Sequence, residues 1–206
     1  MDVAGLLARR RMVRSFDGTP VDPSWLDATC ATALWAPTAG NCAGVRMHTL
    51  YASAIDPFFA CTTDATWRER STRYPGLARA GAVVVVTSRP SDYAARYGEP
   101  DKRASGLAAL DAWPVPYWHG DAAMATMALL LLLEEAGWSA ALWGDFGRAE
   151  ALLAWLGTPD ETLFASVLVG RADGRDRRSA SLERATPPRH ARVTRVASPP
   201  PARPAR

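Results

Sequence analysis

Arg10, Arg11 and Arg14 crowd the segment Arg10-Arg11-Met12-Val13-Arg14-Ser15-Phe16, with guanidinium groups on either side of a short hydrophobic step. Each guanidinium offers a planar pair of charge-assisted donors, and two or three of them together suit a terminal phosphate. About twenty residues on, Ala36-Pro37-Thr38-Ala39-Gly40-Asn41-Cys42 has the chemistry of a polar contact loop. Pro37 pushes Ala36 out of the helical region and so ends whatever helix precedes it. Thr38, Ala39, Gly40 and Asn41 then supply small side chains, a permissive backbone and one amide that both donates and accepts. Such an amide suits the edge of a pyrimidine-like ring.

A third segment joins these two. Asp121-Ala122-Ala123-Met124 opens an apolar stretch that ends at Gly137-Trp138-Ser139-Ala140-Ala141-Leu142-Trp143-Gly144-Asp145-Phe146. In order and spacing, the three blocks resemble the FMN-dependent nitroreductase family. There an R-R-S-x-R-x-F segment precedes an A-P-S-x-x-N-x-Q loop, followed by a D-x-G-x-A helix and a G-L-G-S-x-W-x-G-x-F turn. The resemblance spans residues 3 to 170 and departs from the pattern twice. Met12 stands where Ser is usual, and Ala43-Gly44 where Gln is common. Because a thioether cannot donate a hydrogen bond, one expected phosphate contact must be lost or replaced at Met12.

The resemblance implies an α+β fold with a central, mostly antiparallel sheet flanked by helices in an intertwined homodimer. It implies Arg10, Arg11 and Arg14 at an FMN phosphate, and Pro37, Thr38, Ala39 and Asn41 along the flavin. The backbone of Leu142, Trp143 and Gly144 would lie near the redox nitrogen, with Trp143 walling the ring. In the family a late basic residue from the C-terminal segment also reaches the phosphate. Arg178, which precedes Ser179-Ala180-Ser181-Leu182-Glu183 much as an Arg precedes the family's P-L-E-E, takes that place, with Arg189 as the alternative.

The elements that must position these residues are legible in outline. Asp2 caps a short helix to Arg9, and Asp22-Pro23 opens a second through Ala33 with proline in its first turn. Val45 to Tyr51 alternates as a strand, and Leu163 to Gly170 forms another. Ala82 to Ser88 is a continuous apolar, β-branched run, which predicts a central strand buried on both faces. Gly120 to Ala136 reads as the longest helix, closed by Gly137. Its twelve uncharged residues between Asp121 and Glu134, five of them consecutive leucines, fall short of a membrane span, which needs about twenty. A helix apolar nearly all round must be covered on all sides, by a core or by a second subunit.

With 206 residues, 48% of them apolar, the chain has ample material for one core. Residues 1–171 are expected to form the flavin-binding domain and residues 172–206 an extended, Arg- and Pro-rich extension. Residues 171–206 carry ten arginines against three acids, whereas the body is mildly acidic. The basic tail lacks interleaved aromatics or a recognition motif, which argues against nucleic-acid binding. No secretory signal precedes the N-terminal arginines, and the three cysteines form no metal-ligand spacing, so a cytoplasmic protein with reduced thiols and no membrane contact is expected. Cys42 and His119 share no pattern that would make a nucleophile and base.

No acid or base is compulsory for hydride transfer, and no catalytic residue is assigned: a flavin carries the chemistry while protein supplies binding, orientation and charge. The expected activity is transfer from NAD(P)H to a small electron-poor acceptor such as a nitroaromatic or quinone. Alternatives are a flavin-binding protein without turnover, or a specialised enzyme of the same fold, one reducing a deazaflavin-type substrate or one fragmenting its own flavin with oxygen.

Overall fold

A computed structural model describes residues 2–144, 147–177 and 179–196. In chain order its elements are α1 (Val3–Arg9), α2 (Pro23–Ala33), β1 (Val45–Tyr51), α3 (Ile55–Thr62), α4 (Ala65–Arg70), α5 (Tyr74–Leu77), β2 (Ala82–Ser88), α6 (Pro90–Tyr97), α7 (Tyr117–Glu135), β3 (Ser139–Trp143), α8 (Ala149–Leu156) and β4 (Thr162–Gly170). The chain divides into two units, residues 1–176 and 177–206. Within the second, short 3₁₀ turns form at Ala180–Leu182 and Arg189–Arg192.

Local chemistry sets the helix starts. The Asp2 carboxylate accepts the Gly5 N–H at 2.8 Å, Asp22 that of Trp25 at 3.0 Å and Asp64 that of Trp67 at 2.7 Å. Each cap contributes about 1 kcal/mol. The longest helix begins at Tyr117, three residues before the expected Gly120, because Pro116 supplies its boundary. Among the described residues no helix is long and apolar enough to cross a membrane.

The four strands form one antiparallel sheet in the order β1-β2-β4-β3. Every residue of β2 is buried. Its alternating side chains feed two cores: Val84 and Val86 join Val167, Val169 and Ala140 beneath α2 and α7, while Val83 and Val85 join Leu168 and Ala141 against Phe16, Phe58, Phe59 and Leu152. The sheet is therefore covered on both sides, as its apolar run requires.

The block expected as a turn is instead largely strand. Ser139–Trp143 pairs with β4 and forms one edge of the sheet, β1 forming the other. The arginine segment runs along the outside of β3, with Met12 bridged to Ala140 and the Val13 N–H donating to the Ala140 carbonyl at 2.9 Å. Phe16 then turns into the second core with no exposed surface, bridged to Ala172 and packed so closely on Gly170 that a Cβ there would lie 2.7 Å from its ring.

Phe16 thus pins the whole arginine segment to the sheet edge. Phe16→Ala is expected to lower the unfolding free energy by about 3–5 kcal/mol in urea titration, the cost of emptying a fully buried aromatic site. A loss below about 1 kcal/mol would mean that the segment is not anchored there.

Candidate functional site

Arg10 ends α1, its N–H bonded to the Leu6 carbonyl. Its Nε and Nη1 are buried and have no hydrogen-bond partner among the described residues. A guanidinium withdrawn from water without acceptors is costly, so an anion is the natural complement of this place. Arg14 is half-buried, and one of its nitrogens lies 3.4 Å from the Met12 carbonyl. Arg11 is differently employed. Its Nη1 donates to the carbonyls of Ala8, Arg9 and Arg10 at 2.7, 3.2 and 3.0 Å, neutralising the exposed end of α1. Arg9, next to it, pairs with Glu134 near the end of α7 at 2.8 Å.

The polar loop lies at the opposite end of that helix. Ala39–Asn41 form a 3₁₀ turn that the Thr38 backbone caps, and Gly40, Asn41 and Ala43 all take positive φ (64°, 54° and 48°). Glycine and asparagine tolerate this region, whereas at Ala43 it is strained. Three anchors hold the strained loop. The Asp121 carboxylate, 2% exposed, accepts the Ala39 N–H and the Tyr93 hydroxyl through one oxygen, each at 2.8 Å. Arg96 donates to the Gly40 carbonyl at 2.8 Å and is itself gripped by Glu99 and by both oxygens of Asp101. The same guanidinium holds the Asp101 carboxyl below the ordinary carboxylate range. The Tyr93 ring fills the space beside Gly44, where a Cβ would come within 2.4 Å. This packing leaves no room for a larger residue at Gly44, at one of the two departures from the family pattern.

Pro37 and Asn41 are exposed, and the Asn41 amide makes no hydrogen bond among the described residues, so it remains open to a ligand. Around the loop stands an aromatic group: Tyr97 and Trp113 meet edge to face at 4.7 Å, Tyr93 and Trp118 at 6.1 Å, and His119 lies 6.1 Å from Trp118. Burial pushes the His119 imidazole below its ordinary value, and the Cys42 thiol up. Neither shift produces a reactive cysteine, since the thiolate is the nucleophile.

On β3, Leu142 is 40% exposed, while Trp143 points to the other face and packs edge to face on Trp67 at 5.5 Å and Phe59 at 5.9 Å. Since Ala140 presents its carbonyl outward to Val13, strand parity also points the Leu142 backbone outward and the Trp143 N–H toward β4. The structure thus brings Arg10, Arg14 and Leu142 together on one sheet edge and Pro37, Thr38, Ala39 and Asn41 together beyond the other. It does not bring the two groups together within one chain. Asp121 and Glu134, which mark the two places, are thirteen residues apart on α7, or ~20 Å. Arg178 and Phe146 lie outside the described residues, and Arg189 sits in the second unit.

Tyr93 and Arg96 lie in no motif, and the contacts themselves join distant residues: Asp121 to Ala39 and Arg96 to Gly40 across 82 and 56 residues, and Tyr93 to Asp121 across 28. Asp121 is signalled twice in the sequence, as the acid that opens an otherwise uncharged helical run and as the first residue of the D-x-G-x-A block, but neither signal names its partners.

A two-sided antiparallel sheet thus carries a cationic segment on one edge and an anchored polar loop beyond the other. The chain belongs to the nitroreductase family, whose sequence profile matches residues 7–171, and is accordingly an oxidoreductase. Among solved structures it is similar to the nitroreductase CinD from Lactococcus lactis, with 18% identity and a TM-score of 0.75 over 96% of this chain and 100% of that one. It is similar also to a nitroreductase-like protein from Bacillus cereus, with 14% identity and a TM-score of 0.68 over 96% and 97% of the two chains. A gut-bacterial enone reductase of fatty acid saturation shares the fold at 18% identity and a TM-score of 0.65, over 90% and 97%. No curated protein sequence matches the chain significantly.

Asp121→Ala leaves the Ala39 N–H and the Tyr93 hydroxyl without their acceptor and is expected to cost about 2–4 kcal/mol of stability, two unmet donors in a buried place. Asp121→Asn keeps an acceptor oxygen and should recover most of it. Equal losses for the two variants in chemical denaturation would show that the hydrogen bonds do not hold the loop.

Proposed function

We propose that the protein is an FMN-dependent oxidoreductase that passes hydride equivalents from NAD(P)H to a small electron-poor acceptor such as a nitroaromatic or a quinone. The observation that carries this reading is the Arg10 guanidinium, two of whose nitrogens are buried with no acceptor among the described residues, at the end of α1 in a nitroreductase fold. A phosphate dianion would meet both donors, with Arg14 beside it as a second cation. Asn41, held in a left-handed conformation by the anchored loop, would offer its free amide to the pyrimidine edge. When bound, FMN would supply the two-electron chemistry itself. The chain's own residues would bind it, orient it and place a backbone N–H donor from just past the end of β3 near the ring, where it favours added negative charge.

These contacts need two copies of the chain. Asp121, which holds the loop, and Glu134, which pairs with Arg9 beside the arginine segment, stand ~20 Å apart along α7, long compared with the five-carbon ribityl chain between phosphate and ring in one FMN. The surface supports a partner as well. Trp35, at the end of α2, is 86% exposed, and Met124 on the outer side of α7 is 43% exposed, continuing into half-buried Met127, Ala128 and Leu131. An apolar face of this kind on α7 fits a homodimer interface. In that dimer the arginine edge of one protomer would meet the loop of the other, giving two composite sites.

The acceptor class follows the ligands bound by a similar protein. The L. lactis protein has been solved with nicotinic acid, with 4-nitrophenol and with chloramphenicol, and flat electron-poor molecules are what we carry over to this chain. Arg10→Ala is expected to weaken FMN binding by about 1.5–3 kcal/mol, the scale of a charge-assisted hydrogen bond. Equilibrium titration of flavin fluorescence measures it, and an unchanged affinity would remove Arg10 from the phosphate site.

A further inference from the structure

Met12 does not leave a gap where the family has serine. Its Sδ accepts the Leu142 N–H at 3.3 Å. That contact has a clear origin in the strand pairing. Val13 and Ala140 share the last bond of the short ladder between the arginine segment and β3, and the next outward donor on β3 is the Leu142 N–H. A continued ladder would take it to a backbone carbonyl. The Met12 side chain, packed against the first core, takes it instead. A thioether can only accept, and weakly, whereas a serine hydroxyl would also donate and a leucine would do neither.

We propose that Met12 is a positioning residue of the redox site: by engaging the Leu142 N–H, its sulfur withholds that donor from the flavin and so lowers the flavin's reduction potential. The proposal rests on the flavin reading above. Reduced flavin carries added negative charge, and each backbone N–H aimed at it favours the reduced form. Of the three donors near the end of β3, Trp143 faces β4, and Leu142 is engaged by Met12. With Met12 in place, the Gly144 N–H is the donor left to the ring. Removing the sulfur without changing the bulk would return a second donor to it.

Met12→Leu keeps the volume and removes the acceptor, and Met12→Gln restores an acceptor oxygen. In the flavin-loaded Met12→Leu protein the reduced form should gain about tenfold over the oxidised form at a fixed poise, a rise of ~30 mV for a two-electron couple. In the full chain without added flavin, the Leu142 amide of this variant should exchange with solvent about threefold faster or more. Met12→Gln should bring both readouts back toward the unsubstituted protein. Flavin bound by Met12→Leu at an unchanged potential overturns the proposal, whatever the exchange rate, because it assigns the sulfur to folding alone. An unchanged exchange rate overturns it at the contact itself. A protein that takes up no FMN defeats the underlying reading instead, and the exchange measurement separates that failure from the others.

Discussion

A strand buried on both faces has to be roofed twice, and β2 imposes that on this chain. Its seven residues admit no solvent, so α2 and α7 must close one side of the sheet and the phenylalanine-rich layer with α3 and α8 the other. Once both faces are spent, only the edges of the sheet remain for a ligand. The arginine segment takes the β3 edge and the polar loop leads into β1 at the other. A diagonal α7 ties the two together, with Asp121 at the loop and Glu134 at Arg9. The separation of the candidate binding groups is thus a consequence of the central strand.

The two halves of the site are built on opposite principles. The loop is fully provided for: its amide, its carbonyl and its tight glycine are each met by a side chain from α6 or α7, and this support offsets the positive φ angles at Asn41 and Ala43. The arginine edge is deliberately unfinished in chemical terms, with buried guanidinium donors that nothing in the described chain satisfies. A rigid half presents shape and hydrogen bonds, and a charged half presents unmet electrostatic demand.

Much of this was legible in the residues, for reasons that can be named. Asp22-Pro23 and the valine run of β2 carry their structural instructions locally, and α2 and β2 begin and end where those signals place them. The nitroreductase pattern likewise rests on local blocks. The β3 strand was hidden because Ser-Ala-Ala-Leu-Trp has little β-branched character, and its extension is dictated by β4 beside it. The start of α7 was hidden by Gly120, a residue that looks like a boundary but is tolerated because the turn before it is held by Pro116. The Asp121–Tyr93–Ala39 and Met12–Leu142 contacts were beyond reach, since each joins residues far apart in sequence that only the folded sheet brings near.

The central claim is that each flavin site combines the arginine edge of one protomer with the loop of the other. It is tested most directly in a heterodimer of one Arg10→Ala chain and one Asn41→Ala chain, titrated with FMN. If the sites are shared, one of the two carries both substitutions and the other carries neither. The heterodimer should then bind half the normal complement of FMN with the affinity of the unsubstituted protein. Two weakened sites, one lacking Arg10 and the other Asn41, with none of normal affinity, would place each site within a single protomer and contradict the account.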